Sequence, residues 1–479
     1  MHHEQPQHLQ EISTKISTSA KLAQIIDDMG FGRAHKLILM LVIAGVFFDV
    51  IEQNAIGIVG PVLQADWGIS AAQIGLINSV TFFCMSVGGI IAGFMADRYG
   101  RRPILMLNLI LYSIGALLCS IAPNYEMLVL FRGIVGLGLG GELATAIIMV
   151  AEFSPTKNRA SAVSTLNLAG GGLGNFAAPL YGVFVLGLLA PAFGLGDSAW
   201  RWVFGLLVLP IVFIAFFRRY LPETPRFLLA TGQIHECNRA LTILKHGRLI
   251  PRGHPVEVEQ FLTETGDVTL KRTEKIRIGE IFAKPWRRRT LAVSTTYFMA
   301  LAGQISILTL MPVILVSKGF SIVAGVGFTA VMQSGSLAGA LMAVIVNAHL
   351  KRKTVIAMGT LGAMLSAIAF GLFAESTASI LFLGALFQFF VLLLNTTLWT
   401  WLPELYPTRI RGFGTGVIRS VGAMGAVVMT PIAGLIFDVA GLVAIFATLA
   451  VLYLMALIAA MFGPETAGKS LEELSETAA

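Results

Sequence analysis

Twelve apolar stretches, each near the roughly twenty residues a helix needs to cross a bilayer, set the first limit on what this chain can be. They cover 37–62, 72–96, 103–122, 126–151, 161–190 and 200–219, then 290–316, 322–348, 354–374, 377–402, 413–437 and 440–462. Backbone inside lipid must satisfy its own polar groups, so runs of this length are predicted to be helices. The chain is therefore expected to be an all-α membrane protein. Composition agrees, since 56% of the 479 residues are hydrophobic and only 13% are charged, too few to clothe a soluble chain of this size. Residues 1–35 are polar and lack the apolar core and cleavage site of a secretory signal. They are read as a cytoplasmic tail ending in a short helix near Leu22–Met29. The three cysteines, Cys84, Cys119 and Cys237, have neither metal-ligand nor redox spacing.

A net charge of +7 raises the question of a nucleic-acid partner, but the basic residues sit between the apolar runs. Loops after spans two, four, eight and ten carry Arg98, Arg101 and Arg102; Lys157 and Arg159; Lys351, Arg352 and Lys353; and Arg409 and Arg411. The opposite loops hold few, Lys318 and Arg201 being the exceptions. Under the positive-inside rule both termini and the long middle loop are cytoplasmic. The expected location is the plasma membrane, or the inner membrane of a bacterial cell, with no nucleic-acid partner and a monomer as the working unit. The expected organisation is a tail at 1–35, a six-helix bundle at 36–219, a middle loop at 220–289, a second bundle at 290–462 and a tail at 463–479. The middle loop has helical patches at Arg239–Lys245 and Lys271–Phe282, interrupted by Pro251 and Pro255. Its basic patches suit contact with anionic lipid or plain enforcement of topology.

Internal repetition is the next constraint. After span four the chain reads Glu152-Phe-Ser-Pro155-Thr156-Lys-Asn-Arg159, and after span ten Glu404-Leu-Tyr-Pro407-Thr408-Arg-Ile-Arg411. Pro222-Glu223-Thr224 follows span six, and Pro464-Glu465-Thr466 follows span twelve. Both pairs lie about 250 residues apart, a period that implies a duplicated six-helix unit. An even helix count leaves the two copies in the same orientation, and parallel repeats of this kind place a binding site between the halves near the bilayer midplane.

The segment Gly93-Phe-Met-Ala-Asp97-Arg98-Tyr-Gly100-Arg101-Arg102 resembles the signature loop of the major facilitator superfamily, with a degraded second copy at Asn347-Ala-His-Leu-Lys351-Arg352-Lys353. Arg132-x-x-x-Gly136-x-Gly138-x-Gly140, Pro222-Glu-Thr-Pro-Arg226, the two E-x-x-P-T-x-x-R motifs and Pro464-Glu-Thr-Ala-Gly468 resemble its sugar-porter branch and that branch's organic-ion and aromatic-acid relatives. The resemblance runs from span one to Glu473. It implies twelve helices in two pseudo-symmetric bundles and a secondary transporter working by alternating access.

The same resemblance implies gating roles for Asp97, Arg98, Arg101, Glu152, Arg159, Glu404 and Arg411 at the cytoplasmic helix ends. Such groups can form ion pairs that tie the two halves together on the inner side. They can equally be topology signals and helix caps, since exposed pairs are often worth under about 1 kcal/mol.

Charges inside the spans need a stronger reason. An ionisable group at mid-membrane costs about 2.5–3.5 kcal/mol even on lenient scales. Asp49 and Glu52 share a face of span one, Arg132 and Glu142 lie in span four, and Arg419 lies in span eleven. In sugar porters a first-span acid pairs with the fourth-span arginine and switches with proton binding. The similarity here implies Asp49 facing Arg132, with Glu52 the competing acid and Glu142 a second cavity acid or a helix-packing group. The alternative is a static pair that fixes spans one and four together. Arg419, a permanently charged planar donor, resembles the span-eleven arginine of organic-anion and aromatic-acid members. It is expected to meet a substrate carboxylate or to pair with Asp49 or Glu142.

Asn167, Asn175, Gln304, Ser306, Gln333, Gln388, Asn395, Trp399 and Trp401 are candidates to line the same cavity, or to hydrogen-bond between helices. Gly303-Gln-Ile-Ser306 keeps only a fragment of the sugar-porter signature of span seven, and Asn395-Thr-Thr-Leu-Trp399-Thr-Trp401 departs from that of span ten. An organic acid is thus a better candidate than a hexose. The run Gly136-Leu-Gly138-Leu-Gly140-Gly141 lies inside an apolar span without the strand a phosphate loop requires. With Gly170–Gly174 it is expected to bring spans four and five close together. No catalytic, cofactor or metal motif stands out. The expected function is proton-coupled symport of a small organic anion. Sugar or polyol transport, proton-driven drug export and a transporter-like sensor are the alternatives.

Overall fold

The computed structural model describes residues 21–251, 254–262, 281–406 and 408–466. The expected tail before residue 21, the patch at 271–280 and the tail beyond Thr466 lie outside them. The described residues hold helices and no strand. The membrane-crossing helices are α1 (Arg33–Trp67), α2 (Ala71–Tyr99), α3 (Arg101–Ser120), α4 (Tyr125–Phe153), α5 (Thr156–Ala192), α6 (Ala199–Tyr220), α7 (Lys284–Ser317), α8 (Ile322–His349), α9 (Arg352–Phe373) and α10 (Thr377–Glu404). A last helical stretch, Thr408–Met461, is broken at Gly441, whose φ of 73° is left-handed. Glycine meets that conformation without steric cost, so the stretch is two helices, α11 (408–440) and α12 (442–461).

Local sequence explains the helix ends. At the end away from the arginine-rich loops, α2, α4, α8 and α10 each start on a short polar side chain that accepts a backbone N–H. Ser70 caps Gln73, Asn124 caps Met127, Ser321 caps Ala324 and Ser376 caps Ser379, at 3.0–3.2 Å. Gln73 also reaches back to the Ser70 N–H at 2.9 Å, completing a capping box. At the charged end a short helix over 21–29 buries Leu22 and Ile26, and its Asp27 accepts from the Thr156 N–H at the start of α5. The middle loop contributes helices Pro225–Ala230 and Ile234–His246.

The helices group as two like halves. Across the divide α1 packs on α7, α2 on α11 and α5 on α8. Exchanging the first six helices for the last six carries the α2–α11 contact onto α8–α5 and α1–α7 onto itself, which is the signature of a pseudo-twofold axis. Interior prolines follow the same relation: Pro61 in α1 matches Pro312 in α7, and Pro179 in α5 matches Pro431 in α11.

The glycine run of α4 does not approach α5 as expected. Added side-chain carbons at Gly136 and Gly140 would meet the α2 backbone at Thr81 and Met85, and at Gly138 and Gly141 they would meet Asn108 and Tyr112 of α3. Glycines spaced by two and four serve two neighbours because alternate pairs fall on adjacent faces of the helix. The run in α5 instead faces α1, through Gly170 on Val46 and Gly174 on Val50.

Gly75 is among the glycines that bring the two halves into contact. A Cβ on Gly75 of α2 would lie 2.5 Å from the Thr430 carbonyl oxygen and 2.8 Å from the Pro431 Cα of α11. Gly75→Val is expected to part the halves at this end without unfolding either. Maleimide labelling of a cysteine introduced at Ser79, in a background free of native cysteines, should rise about tenfold or more. An unchanged labelling rate would show that the contact is not a closing surface.

Candidate functional site

The site lies where α1 and α4 bury four charged groups. Asp49, Glu52, Arg132 and Glu142 are each 0–1% exposed. Arg132 Nη1 donates to Glu52 Oε1 at 2.5 Å, Nη2 to the Glu52 carbonyl at 3.3 Å, and Nε to Thr81 Oγ1 at 3.3 Å. Its guanidinium also sits 5.7 Å from the centre of the Phe204 ring. The expected Asp49–Arg132 pair is therefore replaced by Glu52–Arg132. Asp49 instead lies beside Glu142, and neither of its buried carboxyl oxygens has a hydrogen-bond partner among the described residues. Antiparallel packing gives the reason: α4 runs opposite to α1, so its later acid falls beside the earlier acid of α1. Gly45, one turn before Asp49, leaves the notch that the Glu142 carboxyl fills; a Cβ there would lie 2.5 Å from Oε1.

The second half presents a cation and no acid. Arg419 of α11 lies about 16 Å from the start of its helix, with its guanidinium 4.1 Å from the centre of the Trp399 ring of α10. Tyr297 of α7 is buried and packs on Gly422. Among the described residues no carboxylate pairs with Arg419, so the expected alternative of a partner in Asp49 or Glu142 does not hold.

Between the halves lies a cavity of about 20 Å³, room for a water and no more. Asn54, Gly57 and Ile58 of α1, Pro179 of α5, Leu308 and Pro312 of α7, and Gln333 and Gln388 line it, among others. Beside it Asn54 donates to Asn175 Oδ1 at 3.0 Å, Asn395 donates to Gln304 Oε1 at 2.8 Å, and Ser336 donates to Gln333. Asn167 lies half-buried on α5 against Gly171. Two candidates belong elsewhere. Ser306 is fully buried and spends its hydroxyl on the Ala302 carbonyl, while the Trp401 indole donates to the Pro464 carbonyl at 3.2 Å.

Sequence reasoning passed over Asn54, Tyr297 and the conformation of α5. Residues Leu168–Gly174 and Phe184–Leu189 of that helix are π-helical, a wide turn often found at functional sites. The run of three glycines was the available signal. It also missed the seal between the halves at the end away from the arginines. There Asn78 donates to Thr309 Oγ1 at 2.6 Å, Ser79 donates to the Val427 carbonyl, and Asp438 accepts from the N–H groups of Ala71 and Ala72 at 3.2 and 3.0 Å.

At the charged end the ion pairs do not bridge the halves as expected; each half closes on itself. Arg101 meets Asp97 at 2.9 Å and Glu152 at 3.1 Å, and Arg352, not among the expected gating residues, meets Glu404 at 3.0 and 3.2 Å. Glu223 accepts from the Arg101 and Arg102 N–H groups at the start of α3, as Glu465 does from Arg352 and Lys353 at the start of α9. Burial pushes the Glu223 carboxyl above its ordinary range, opposed by these N–H donors and by Arg101. Arg159 donates to the Ala151 carbonyl at 3.0 Å, and Arg98 lies over Tyr99. The Arg411 side chain lies outside the described atoms.

Two like halves, a bilayer-length helix set and a buried polar seam between them define a multi-pass membrane transporter. The chain belongs to the Major Facilitator Superfamily, whose family model matches residues 41–423 and 335–478. It is 30% identical to the niacin transporter NiaP of Acinetobacter baylyi (strain ATCC 33305 / BD413 / ADP1), over 95% of this chain and 99% of that one. It is 28% identical to a gallate transporter of Pseudomonas putida, over 89% and 93%. Its fold matches that of the xylose transporter XylE from E. coli in a partially occluded inward open conformation, with a TM-score of 0.72 at 16% identity, over 91% and 99% of the two chains.

Proposed function

We propose that this chain is a proton-coupled symporter that takes up a small organic anion, an aromatic carboxylate foremost, by alternating access. The observation that carries the reading is Arg419, a guanidinium within a membrane-spanning helix, stacked on Trp399 and without an acidic partner among the described residues. Such a group requires an anion, and a planar fork suits a carboxylate. Trp399 and Tyr297 offer flat neighbours for an aromatic ring. Niacin and gallate, named for the two relatives above, are both aromatic carboxylates.

The first half supplies the proton acceptors. Three buried carboxyls there accompany one arginine, which only Glu52 contacts, and the neighbouring Asp49 and Glu142 are acids that a proton can serve. Protonating Glu52 frees Arg132 from its ion pair, and that change in a helix–helix contact is what biases the two conformations. The positive-inside rule supports a cytoplasmic side for the charged loops. There Asp97, Arg101, Arg159 and Glu152 stiffen one half, while Glu404 and Arg352 stiffen the other. Neither set bars the halves from parting, whereas the Asn78–Thr309 and Asp438 contacts hold the opposite end shut.

Reconstituted vesicles loaded with neutral buffer and placed in acidic medium should accumulate labelled nicotinate or gallate above equilibrium, with xylose as the control. A protonophore should abolish the accumulation. Equilibration without accumulation would remove the coupling, and entry of xylose alone would remove the organic anion.

A further inference from the structure

A groove of about 490 Å³ opens between α7 and α12 at the charged end, lined by Arg287, Arg288, Leu291, Ala292, Thr295, Ala459 and Phe462. We propose that it binds an anionic phospholipid of the leaflet that meets the charged loops, with the phosphate held by Arg287 and Arg288 and an acyl chain laid along the apolar floor.

The groove is amphipathic along its length. Both arginines are exposed at its mouth, and none of the described lining residues is acidic. Arg288 lies over the Phe462 ring, 5.8 Å from its centre, so its charge is anchored at the groove wall. Trp286 stands beside Arg289, 5.4 Å from its guanidinium, at the level where tryptophan marks a membrane interface. Lys353 donates to the Met461 carbonyl at 2.8 Å and brings a further cation to the same end of α12. From Arg287 to Thr295 the groove descends about 12 Å along α7, passing Leu291, Ala292 and Thr295 into the depth of the hydrocarbon. Leu291 and Phe462 are 48% and 55% exposed, which leaves a cleft between apolar walls under a cationic mouth. A free phosphate would use the mouth and leave the floor bare, and a neutral lipid would use the floor and leave the arginines unmatched. Only a lipid with net negative charge meets both.

The test uses the purified full-length protein in neutral detergent, with phosphatidylglycerol or phosphatidylcholine of identical chains added. Thermal melting should rise by several degrees with phosphatidylglycerol only, and native mass spectrometry should show one tightly retained phosphatidylglycerol. Arg287→Ala combined with Arg288→Ala should lose both effects. Ala459→Trp, which fills the floor and keeps the arginines, should lose them as well. The proposal is overturned if phosphatidylcholine gives the same rise, if inorganic phosphate reproduces it, or if both variants retain the lipid as wild type does. It is overturned equally if the groove proves to be covered by a second copy of the chain, seen as a dimer that added phosphatidylglycerol leaves intact.

Discussion

Arg419→Ala lowers the affinity for a carboxylate substrate by about 30-fold to a few thousandfold, the equivalent of roughly 2–5 kcal/mol for truncating one side of a buried charge pair. The effect falls on binding because no described acid depends on the guanidinium. Arg419 has no ion pair among the described residues and rests on the face of Trp399. Its removal leaves no carboxylate orphaned, so the variant is expected to melt at or slightly above the wild-type temperature. Arg419→Lys keeps the charge and loses the planar fork and the stack, and should fall between the two. Uptake measured across substrate concentrations, with melting as the control for folding, reads both outcomes. An Arg419→Ala protein with an unchanged apparent KM would show that the carboxylate binds elsewhere.

The second large effect concerns Glu52 and Arg132. Arg132→Met strands a fully buried carboxylate that now has a bond of 2.5 Å to its arginine, and loss of one partner in such a pair costs about 3–5 kcal/mol. A pronounced fall in melting temperature is expected. Glu52→Gln keeps an oxygen to accept from Arg132 but cannot take up or release a proton. It should retain exchange of labelled for unlabelled substrate and lose accumulation against a gradient. The double variant Glu52→Gln with Arg132→Met removes both charges and should recover much of the stability of Arg132→Met, while accumulation stays lost. That dissociation separates a coupling role from a purely structural one. A Glu52→Gln protein that still concentrates substrate would leave the ion pair as a helix fastener only.

The architecture was legible because its causes are local and repeated. Bilayer-length apolar runs have one solution per run, and the matched E-x-x-P-T-x-x-R and Pro-Glu-Thr segments disclosed the duplication. The structure gives those segments their physical meaning. Glu152 at the end of α4 and Glu404 at the end of α10 each bind the arginine that opens the preceding helix, Arg101 of α3 or Arg352 of α9, and Glu223 and Glu465 each cap the same helix start. Pairing across helices was not legible, because it depends on relative rotation and depth that no one-dimensional pattern records. Asp49 and Glu52 differ by three residues, and only the packing of α1 on α4 decides which acid receives Arg132. The same limit explains Trp401, which periodicity cannot tell from Trp399. Two positions on, it faces Pro464 rather than Arg419. It also explains the glycines of α4, whose spacing announced close packing and could not say against which neighbour.

The twofold relation also clarifies the division of labour between the halves. They match in the prolines of α1 and α7 and of α5 and α11, in caps and in inner ion pairs, yet one buries three acids and the other carries the half-buried Arg419 within a span. Symmetry supplies the hinge and asymmetry supplies the chemistry. Alternating access then needs only that the contacts of α1 with α7, α2 with α11 and α5 with α8 act as rocking surfaces, with the seal of Asn78, Ser79 and Asp438 closing one end.

The most direct measurement records lumenal pH and labelled substrate together in vesicles carrying either the wild-type protein or Glu52→Gln. Wild-type uptake of an aromatic carboxylate should acidify the lumen in proportion to the substrate taken in, and Glu52→Gln should exchange substrate with no pH change. Substrate entry in the wild type with the lumen left at its starting pH would contradict the account.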